Sequence, residues 1–599
     1  MKLQLGVLSP GSSPPGTTPR SKTLSPLFIK LLKSRGIDES FLNPRYEDLG
    51  AAGDLPDMAK AVKRIRRAIK AGEKILVFGD YDADGVTATA VLVRGLGHLG
   101  AEVRWDLPER VRDGYGLPER ILETLAADVK LLITVDCGSR DFAVVRRLKE
   151  RGVDVIITDH HEVSEDGALP EAVAVINPKR RDSKYGFSEL AGVGVAFQLV
   201  RALASSPQTG ASDTPSPDPV ATGRARLVLP LPRSESSSAP DLRGTRQQYK
   251  SPEWTKWLLD LVALGTVCDQ APLLGDNRIL VWYGLKVMAK SKWRGLRELT
   301  RDLKRIDAYA LGFVVGPKIN ASGRLESPRK ALELLLTDDA MEASELAMQL
   351  EDLNDERKAQ QRKALESLKL TLGVKNDLTV VVARGKWHEG LIGLIAGKLV
   401  EQHEKPVFVF TETGEGLKCS ARSFGEFSCA KAISHLRELG LVEKGGGHAA
   451  AGGMSISADN FEAVRAALDK YYRSLGLTNQ ERFLRERADI EVENVEELTV
   501  DFWREVQELA PFGQGNREPI LRVRGRLYER RTMGKAKEHV SLKIGDAEGR
   551  PFELCAWHGA EKWGDLAVDR YEFDFRAVYS EFGAPHVEGR VVDVVIDRA

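Results

Sequence analysis

Long apolar runs are missing from this 599-residue sequence, and cysteine is scarce. No run approaches the ~20 apolar residues that a membrane-spanning helix needs. Residues 1–22 contain only a short apolar piece interrupted by Pro and Gly, which argues against a signal peptide. The five cysteines are odd in number and lack the pairing typical of zinc sites, as expected for a reduced compartment. We therefore expect a cytoplasmic protein without a zinc site.

An excess of positive charge is also missing, because 87 Lys and Arg residues balance 87 Asp and Glu residues. This balance is not the basic composition that indicates nucleic-acid binding. It does not exclude such binding, since a metal site consumes carboxylates and basic residues can gather on one face. The length is too great for one hydrophobic core, so we expect three or four domains.

A cluster of aspartates follows the first strongly apolar stretch. Ile75–Phe78 has the composition of a buried strand, and Asp80, Asp82 and Asp84 come directly after it. Alternation in an extended segment points these three carboxylates to one side, where they repel each other without a positive charge between them. Carboxylate oxygens suit Mg²⁺ or Mn²⁺. The alternative is an ordinary polar turn, since Asp and Gly are common turn residues.

Two later apolar stretches also end in residues that can bind a metal. Leu131–Val135 leads into Asp136, and Val153–Thr158 leads into Asp159 and the pair His160 and His161. In an open parallel sheet, ligands bind beyond the carboxyl ends of the strands. Three strands that deliver aspartates and histidines to one edge therefore predict a two-metal site.

In this order and spacing, the motifs DYDADG, VDCG and DHH resemble those of the DHH phosphoesterase superfamily, and within it the RecJ single-stranded-DNA exonucleases. The resemblance covers nearly the whole chain and lapses over residues 204–250. Gly265–Asp269 resembles the fourth metal motif of the family, with Cys268 where alanine is usual and Asp269 as the ligand. Taken alone, this stretch would be an ordinary loop at the end of a helix.

The resemblance implies a complete set of catalytic residues. One metal is expected on Asp82 and Asp136 with support from Asp80, and His161 is expected to contact the scissile phosphate. The second metal is expected on Asp84, Asp136, His160 and Asp269. The catalytic residues are then Asp82, Asp84, Asp136, His160, His161 and Asp269. Many DHH phosphoesterases have a histidine at the position of Phe78, so we expect the first site to bind its metal more weakly. Mn²⁺ is expected to suit the mixed carboxylate and imidazole ligands better than Mg²⁺.

The resemblance also implies residues that bind the substrate. Gly316–Leu325 is expected to be a polar loop with Asn320 and Arg324 near phosphate; its alternative is a plain connection between helices. A DHHA1 domain is expected to grip the DNA backbone through Ser420, Arg422, Ser423, Gly446, Gly447 and His448. Glycine-rich loops are weak evidence alone, and we assign no role to His388.

The expected fold is an α/β multidomain protein with a parallel-sheet DHH domain, a long connector helix, a DHHA1 domain and a C-terminal β-barrel of the OB-fold. The predicted boundaries are a disordered tail at 1–22, the DHH domain at 23–340 with a disordered insertion at 204–250, the connector helix at 341–375, the DHHA1 domain at 376–486 and the OB-fold at 487–599.

The C-terminal region shows β-rich stretches with many arginines. Strands are predicted at Ile520–Glu529, Val540–Ile544, Phe552–Trp557 and Val591–Ile596. Basic residues with Tyr528 among them suit single-strand binding, whereas the alternative is a solvated β-face. The basic residues are Arg522, Arg524, Arg526, Arg530, Arg531, Lys535 and Lys537.

The resemblance implies a metal-dependent, processive 5′→3′ exonuclease that degrades single-stranded DNA in recombination and repair, and the polarity comes from the family rather than from the spacing of the motifs. We expect a monomer, with a single-strand-binding protein and a helicase as candidate partners and no membrane. One alternative is a DHH/DHHA1 phosphodiesterase of short oligonucleotides or cyclic dinucleotides, although such proteins usually lack an OB domain. Another is a DNA-bound scaffold without activity, although the intact set of metal-site residues argues against it.

Overall fold

The computed structural model describes residues 24–164, 166–205, 252–372, 379–477, 487–580 and 586–596. The chain divides into two compact units, residues 49–480 and residues 1–48 with 481–599. The predicted tail at 1–22 and nearly all of the predicted insertion at 204–250 lie outside the described residues. Within them, no helix is long and apolar enough to cross a membrane.

The helices and strands are numbered along the chain. The helices are α1 Pro26–Arg35, α2 Met58–Ala71, α3 Ala83–His98, α4 Ile121–Thr124, α5 Phe142–Glu150, α6 Gly192–Ser205, α7 Leu259–Cys268, α8 Gly275–Met288, α9 Arg294–Thr300, α10 Ala308–Ala310, α11 Gly316–Leu325, α12 Arg329–Leu336, α13 Ala340–Leu372, α14 Glu389–His403, α15 Cys429–Glu438, α16 Phe461–Ser474, α17 Val500–Gln507 and α18 Ala560–Trp563. The strands are β1 Lys74–Phe78, β2 Glu102–Asp106, β3 Val129–Val135, β4 Asp154–Thr158, β5 Ala174–Ile176, β6 Val381–Gly385, β7 Val407–Thr413, β8 Gly416–Arg422, β9 Lys444–Gly447, β10 Ala451–Ile456, β11 Ile490–Glu491, β12 Leu521–Met533, β13 His539–Gly545, β14 Pro551–Ala556, β15 Arg570–Ser580 and β16 His586–Ile596.

The first sheet is parallel throughout, with strand order β2-β1-β3-β4-β5. Its central strands β1, β3 and β4 are mostly apolar and almost entirely buried, as expected for a parallel sheet covered by helices on both faces. The parallel sheet predicted from the alternation of strands and helices is therefore confirmed. All its carboxyl ends lie at one edge, which places the residues after β1, β3 and β4 together.

A predicted loop in this unit is a helix instead. Residues 316–325 form α11, which continues from a π-helical turn at Leu311–Val315. Its small residues serve close packing rather than a turn. A Cβ at Gly323 would lie 2.5 Å from the carbonyl oxygen of Tyr81. A 3₁₀ turn at Pro252–Leu258 leads directly into α7.

The second sheet has strand order β6-β7-β8-β10-β9, with one parallel pair and otherwise antiparallel pairs. The predicted glycine-rich loop around His448 is instead the hairpin of β9 and β10. Gly446 pairs with Gly453 there. A Cβ at Gly452 would lie 2.5 Å from Ile433, so glycine lets α15 approach the hairpin. The long connector helix predicted before this sheet is confirmed as α13.

The C-terminal unit is a closed barrel of β12, β13, β14, β16 and β15, and β11 pairs with β12 beside it. The sequence prediction missed β15, Arg570–Ser580, although it pairs along its whole length with β16. Its core includes Leu27, Phe28 and Leu31 of α1. Residues 24–48 therefore belong with the barrel, and their assignment to the DHH domain is corrected. The apolar face of α1 packs on the barrel, and Arg35 pairs with Asp489 at 3.0 Å.

Candidate metal centre and substrate pocket

The aspartates after β1 are fixed by the start of α3. Asp82 is the N-cap of this helix, and its Oδ1 accepts hydrogen bonds from the backbone N–H groups of Asp84 at 3.0 Å and Gly85 at 3.1 Å. Asp84 lies in the first turn and accepts from the backbone of Gly192 at 2.7 Å and Val193 at 2.9 Å. The helix begins at Ala83, so Asp82 caps it and Asp84 lies on its first turn.

Asp136 follows β3 in an unusual backbone conformation. Its φ of 62° lies in the left-handed region, which side chains other than Gly, Asn and Asp rarely adopt. Its backbone N–H donates to the carbonyl of Thr158 at 2.9 Å. A Cβ at Gly192 would lie 2.5 Å from Oδ1 of Asp136, so only glycine fits against this carboxylate. Asp136 is therefore held in a fixed position between β4 and α6.

His160 lies at the centre of the cluster. Its Nε2 is 3.1 Å from Oδ1 of Asp136 and 3.8 Å from Oδ2 of Asp84, and its Nδ1 is 3.8 Å from Oδ2 of Asp269. The structure thus brings together all the residues that the sequence predicts as metal ligands. Three groups have ligand atoms within 4.8 Å of one another: Asp80, Asp82 and Asp136; Asp84, His160 and Asp269; and Asp136, His160 and His161.

The electrostatics of the cluster show that negative charge dominates it. Burial, and then the charges of neighbouring carboxylates, raise the pKa of Asp84 to about 7 and hold the pKa values of Asp80, Asp136 and Asp269 well above their usual range. The buried Oδ1 atoms of Asp80 and Asp136 and Nε2 of His160 have no hydrogen-bond partner among the described residues. Burial lowers the pKa of His160 to about 3, so it is a neutral imidazole. Carboxylates with unused oxygens and a neutral imidazole fit hard divalent cations.

His161 differs from its neighbour because its Nδ1 is already engaged. Oδ1 of Asp159 lies 2.9 Å away, and the hydroxyl of Tyr115 lies 2.8 Å away. Burial favours a low pKa for His161, but the hydrogen bond to Asp159 and the surrounding carboxylates raise it overall. This arrangement leaves Nε2 of the imidazole for another partner. Phe78, which stands where many relatives have a histidine, is fully buried in the apolar core beside the sheet.

A cavity of about 320 Å³ opens beside these groups. Its lining includes Asn320 and Arg324, which the sequence predicts, and Arg110 and Tyr115, which the prediction did not assign. The full lining is Asp80, Tyr81, Asp82, Ala83, Asp84, Arg110, Tyr115, His161, Cys268, Asn320 and Arg324. Arg110 and Tyr115 follow the carboxyl end of β2, so the strand-end argument applied to β1, β3 and β4 would have found them.

Positive charge collects on one side of this cavity. The guanidinium of Arg110 stacks over the ring of Tyr81 at 3.9 Å, and its buried Nε has no hydrogen-bond partner within the described ranges. Burial, together with the charges of Arg110, Arg357 and Arg422, lowers the pKa of Arg324 to about 9. Nη1 of Arg324 donates to the carbonyl of Gly390 at 3.1 Å. The buried Arg324, with other arginines close to it, therefore offers a site for an anion.

The predicted DHHA1 residues fall into three groups. Nη1 of Arg422 lies 3.3 Å from Oγ of Ser420, and both face the start of α14 near Gly393. Ser423, by contrast, closes a turn, because its hydroxyl donates to the carbonyl of Phe427. Gly446, Gly447 and His448 form the end of the exposed β9–β10 hairpin and do not line the cavity. His388 caps α14 through its Nδ1, which accepts from Gly390 at 3.1 Å.

Comparison with known families matches all three predicted domains. Residues 74–223 match the DHH family, N-terminal domain; residues 377–474 match the DHHA1 domain; and residues 488–583 match the RecJ OB domain. A parallel sheet with this acidic edge, followed by a DHHA1 domain, defines a phosphoesterase of the DHH superfamily. Within that superfamily, the chain belongs to the RecJ family.

Several curated relatives carry the description single-stranded-DNA-specific exonuclease RecJ. The proteins of Salmonella typhimurium and Escherichia coli are 32% and 31% identical, over 96% of this chain and 96% of each relative. The Bacillus subtilis protein is 33% identical over 87% of this chain, which spans only 62% of that relative. The crystal structure of RecJ from Thermus thermophilus with Mn²⁺ superposes with a TM-score of 0.76 at 30% identity, covering 96% of this chain and 76% of that one. Its complex with Mg²⁺ gives 0.71 at 28%, covering 96% and 75%.

Proposed function

We propose that this protein hydrolyses the phosphodiester bonds of single-stranded DNA from the 5′ end, in recombination and repair, with two Mn²⁺ or Mg²⁺ ions. One observation carries the proposal: in the described part of the chain, buried carboxylates with unpaired oxygens and a neutral imidazole meet at a cavity whose other side is lined by arginines. A cation site beside an anion site suits the scissile phosphate of a nucleic acid. The relatives described as single-stranded-DNA-specific exonucleases support the choice of substrate.

The distances favour a shared carboxylate between the two metal sites. Asp80, Asp82 and Asp136 would hold one ion, and Asp84, Asp136, His160 and Asp269 would hold the other. Two bound divalent ions activate a water and stabilise the leaving oxygen of an in-line displacement. Asp80 supplies the first site with an oxygen that compensates for the apolar Phe78. The first site is still expected to bind its metal more weakly, because it has three protein ligands and the second site has four.

The remaining residues bind and orient the strand. His161 would contact a phosphate oxygen through Nε2, because Asp159 and Tyr115 already engage its Nδ1. Arg110 and Arg324 bind phosphate at the cavity, where guanidinium groups pair with two oxygens at once. Asn320 also accepts from the backbone of Ala83 at 2.9 Å and so fixes α11 against the cluster. Beyond the cavity, Ser420, Arg422 and the hairpin of Gly446, Gly447 and His448 hold the backbone of the strand, and Ser423 shapes the turn.

The barrel extends the interaction with longer strands. Tyr528 is 52% exposed on β12 and offers a ring for stacking. Arg522 and Arg524 are committed to acidic neighbours, since Arg522 lies 2.7 Å from Asp574 and Arg524 3.1 Å from Glu572. The strand contacts are therefore assigned to the basic residues beyond them, Arg526, Arg531, Lys535 and Lys537. We further propose that the protein works in the cytoplasm as a monomer, with a single-strand-binding protein and a helicase.

The deciding experiment is a digestion of 5′-labelled and 3′-labelled single strands with Mn²⁺, beside a matched duplex and a dinucleotide. We expect immediate release of the 5′ label, late release of the 3′ label and little attack on the duplex. A preference for the dinucleotide over the long strand would support the small-nucleotide phosphodiesterase instead. If none of these substrates were cleaved, the result would support the alternative that the protein is a DNA-bound scaffold without enzymatic activity.

A further inference from the structure

Tyr115 has no role in the function proposed above, yet its hydroxyl lies at the most constrained point of the metal centre. The hydroxyl is 3.3 Å from the backbone carbonyl oxygen of Asp136 and 2.8 Å from Nδ1 of His161. It therefore bridges the carboxylate residue shared between both metal sites and the imidazole assigned to the scissile phosphate. The ring lies beside that imidazole, with centroids 5.0 Å apart.

The proton positions of this bridge follow from its other partners. Nδ1 of His161 is also 2.9 Å from Oδ1 of Asp159, and an ionised carboxylate only accepts. Nδ1 therefore carries a proton that it shares between Asp159 and the oxygen of Tyr115. The hydroxyl proton of Tyr115 is then free to be donated to the carbonyl of Asp136. In this arrangement Asp159 accepts from His161, His161 donates to Asp159 and Tyr115, and Tyr115 donates to the carbonyl of Asp136.

The contact with Asp136 matters because that residue is strained. Its φ of 62° costs conformational energy and persists only while its surroundings enforce it. Thr158 holds its N–H from β4, and Tyr115 holds its carbonyl from the loop after β2. Without the hydrogen bond from Tyr115, the backbone at Asp136 can rotate. That rotation would carry the Asp136 carboxylate away from its position between His160 and Asp80.

A second residue fixes the loop that carries Tyr115. Asp141 stands at the N-cap of α5, but its side chain makes no cap hydrogen bond there. Its Oδ2 instead accepts from the backbone N–H of Leu117 at 2.7 Å. A Cβ at Gly116 would lie 2.9 Å from the same carboxylate, and Gly114 and Gly116 both have positive φ values, 74° and 94°. The loop is thus bent sharply on both sides of Tyr115 and tied down beside it.

We propose that Tyr115 is a positioning residue of the metal centre, which locks the left-handed backbone of Asp136 and orients His161, and that Asp141 holds Tyr115 in place. The proposal rests on the proposed function for its effect on catalysis, but its effect on metal binding is independent of any substrate. Groups that orient the ligands of a metal typically change metal affinity or activity by about 10- to 100-fold when removed.

The test compares Tyr115→Phe with the wild-type full chain in two measurements. Calorimetric titration with Mn²⁺ should show an affinity about 10-fold weaker for the variant. Cleavage of a long single strand should show kcat reduced about 10-fold, with KM within about 2-fold, because the hydroxyl does not contact the strand. Tyr571→Phe is the matched control. Its hydroxyl also donates to a backbone carbonyl, that of Ala567 at 3.0 Å, but it lies in the barrel.

Substitutions of Asp141 provide a second, independent test of the proposal. Asp141→Asn keeps an oxygen that can accept from Leu117 and should retain the wild-type affinity for Mn²⁺, whereas Asp141→Ala should reproduce the defect of Tyr115→Phe. Unchanged Mn²⁺ affinity and kcat in both Tyr115→Phe and Asp141→Ala would overturn the proposal. A rise of KM in Tyr115→Leu with a normal Tyr115→Phe would overturn it in favour of ring stacking on a base. If the wild-type chain does not cleave DNA, the proposed function fails, and the Mn²⁺ titration still decides the role of Tyr115.

Discussion

Aspartates are buried both at the edge of the parallel sheet and in the C-terminal barrel, but their surroundings differ. In the barrel, Asp574 accepts two hydrogen bonds from Arg522 at 2.7 and 2.8 Å. Burial favours a high pKa for Asp546, but Arg550 and three backbone N–H groups lower it overall. At the sheet edge, Asp80 and Asp136 keep oxygens that no described residue uses, and their pKa values are raised. The buried carboxylates of the barrel are paired with arginines and have a structural role, whereas those at the sheet edge lack such partners and are suited to bind a cation.

Asp106 shows that position alone does not separate these two cases. It lies at the carboxyl end of β2, at the same edge as the metal cluster, and is almost fully buried. Its carboxylate is bound by Arg120 at 2.8 Å and also by Arg329. Asp106 therefore belongs with the structural aspartates of the barrel, because its partners rather than its place decide its role.

The largest effect is expected for Asp136→Asn. Asparagine tolerates the left-handed backbone but removes the charge shared by both metal sites. Cleavage of single-stranded DNA with Mn²⁺ should fall by about a thousandfold or more, since activation of the nucleophile and stabilisation of the leaving group both depend on that charge. In chelator, the variant should unfold at a higher temperature than the wild type, because one of several repelling charges is gone. Turnover close to normal with excess Mn²⁺ would refute the shared-carboxylate arrangement.

A second prediction separates the two units. A fragment of residues 49–480 should bind long single strands far more weakly than the whole chain, while its hydrolysis of a dinucleotide remains. Each lost stacking contact costs roughly 1–3 kcal/mol, and the dependence of binding on salt should become shallower. The fragment must omit residues 24–48 as well, because α1 would otherwise expose the apolar face that packs on the barrel. Equal degradation of long strands, with equal salt dependence, would show that the barrel does not hold DNA.

Asp574→Asn should behave in the opposite way from Asp136→Asn. It breaks a charged pair in the barrel and should lower the free energy of unfolding by on the order of 1–3 kcal/mol, with or without chelator. Hydrolysis of a dinucleotide should be unchanged, because the substitution lies outside the catalytic unit. Chemical denaturation in chelator and in Mn²⁺ measures both variants side by side. If Asp574→Asn instead raised the free energy of unfolding, the arginine-paired aspartates of the barrel and the unpaired aspartates at the sheet edge would not be distinct classes.

The smallest effect is expected for Arg110→Gln. Its buried Nε has no partner in the part of the chain that the structure describes, so the loss of its charge should leave thermal stability nearly unchanged. The KM for single-stranded DNA should rise about tenfold, which corresponds to about 1.4 kcal/mol of lost phosphate binding. Arg120→Gln is the control, since Arg120 pairs with Asp106 and should affect stability rather than KM. A drop in stability without a change in KM would show that Arg110 is structural.

The strand ends explain how much of the site the sequence could predict. Aspartates and histidines after β1, β3 and β4 are close in sequence to strong apolar runs, so one topological rule brings them together. The same rule places Tyr115 near the site, since it follows β2, but it does not give the roles of Tyr115 and Asp141, which depend on hydrogen bonds to a strained peptide and to a loop. Gly316–Leu325 was misread as a loop because small residues at a close helix contact have the composition of a turn. The pairing of α1 with the barrel depends on contacts between distant parts of the sequence, which local patterns do not encode.

The pairing of α1 with the barrel has a consequence for synthesis of the protein. Arg35 and Asp489 are 454 residues apart, so at about 5–20 residues per second the ribosome needs roughly 20–90 s to supply the partner of this helix. During that interval, Leu27, Phe28 and Leu31 have no barrel to cover them. The nascent chain therefore exposes the apolar face of α1 while residues 49–480 are being completed. A chaperone that protects that segment until the barrel emerges would raise the yield of active enzyme.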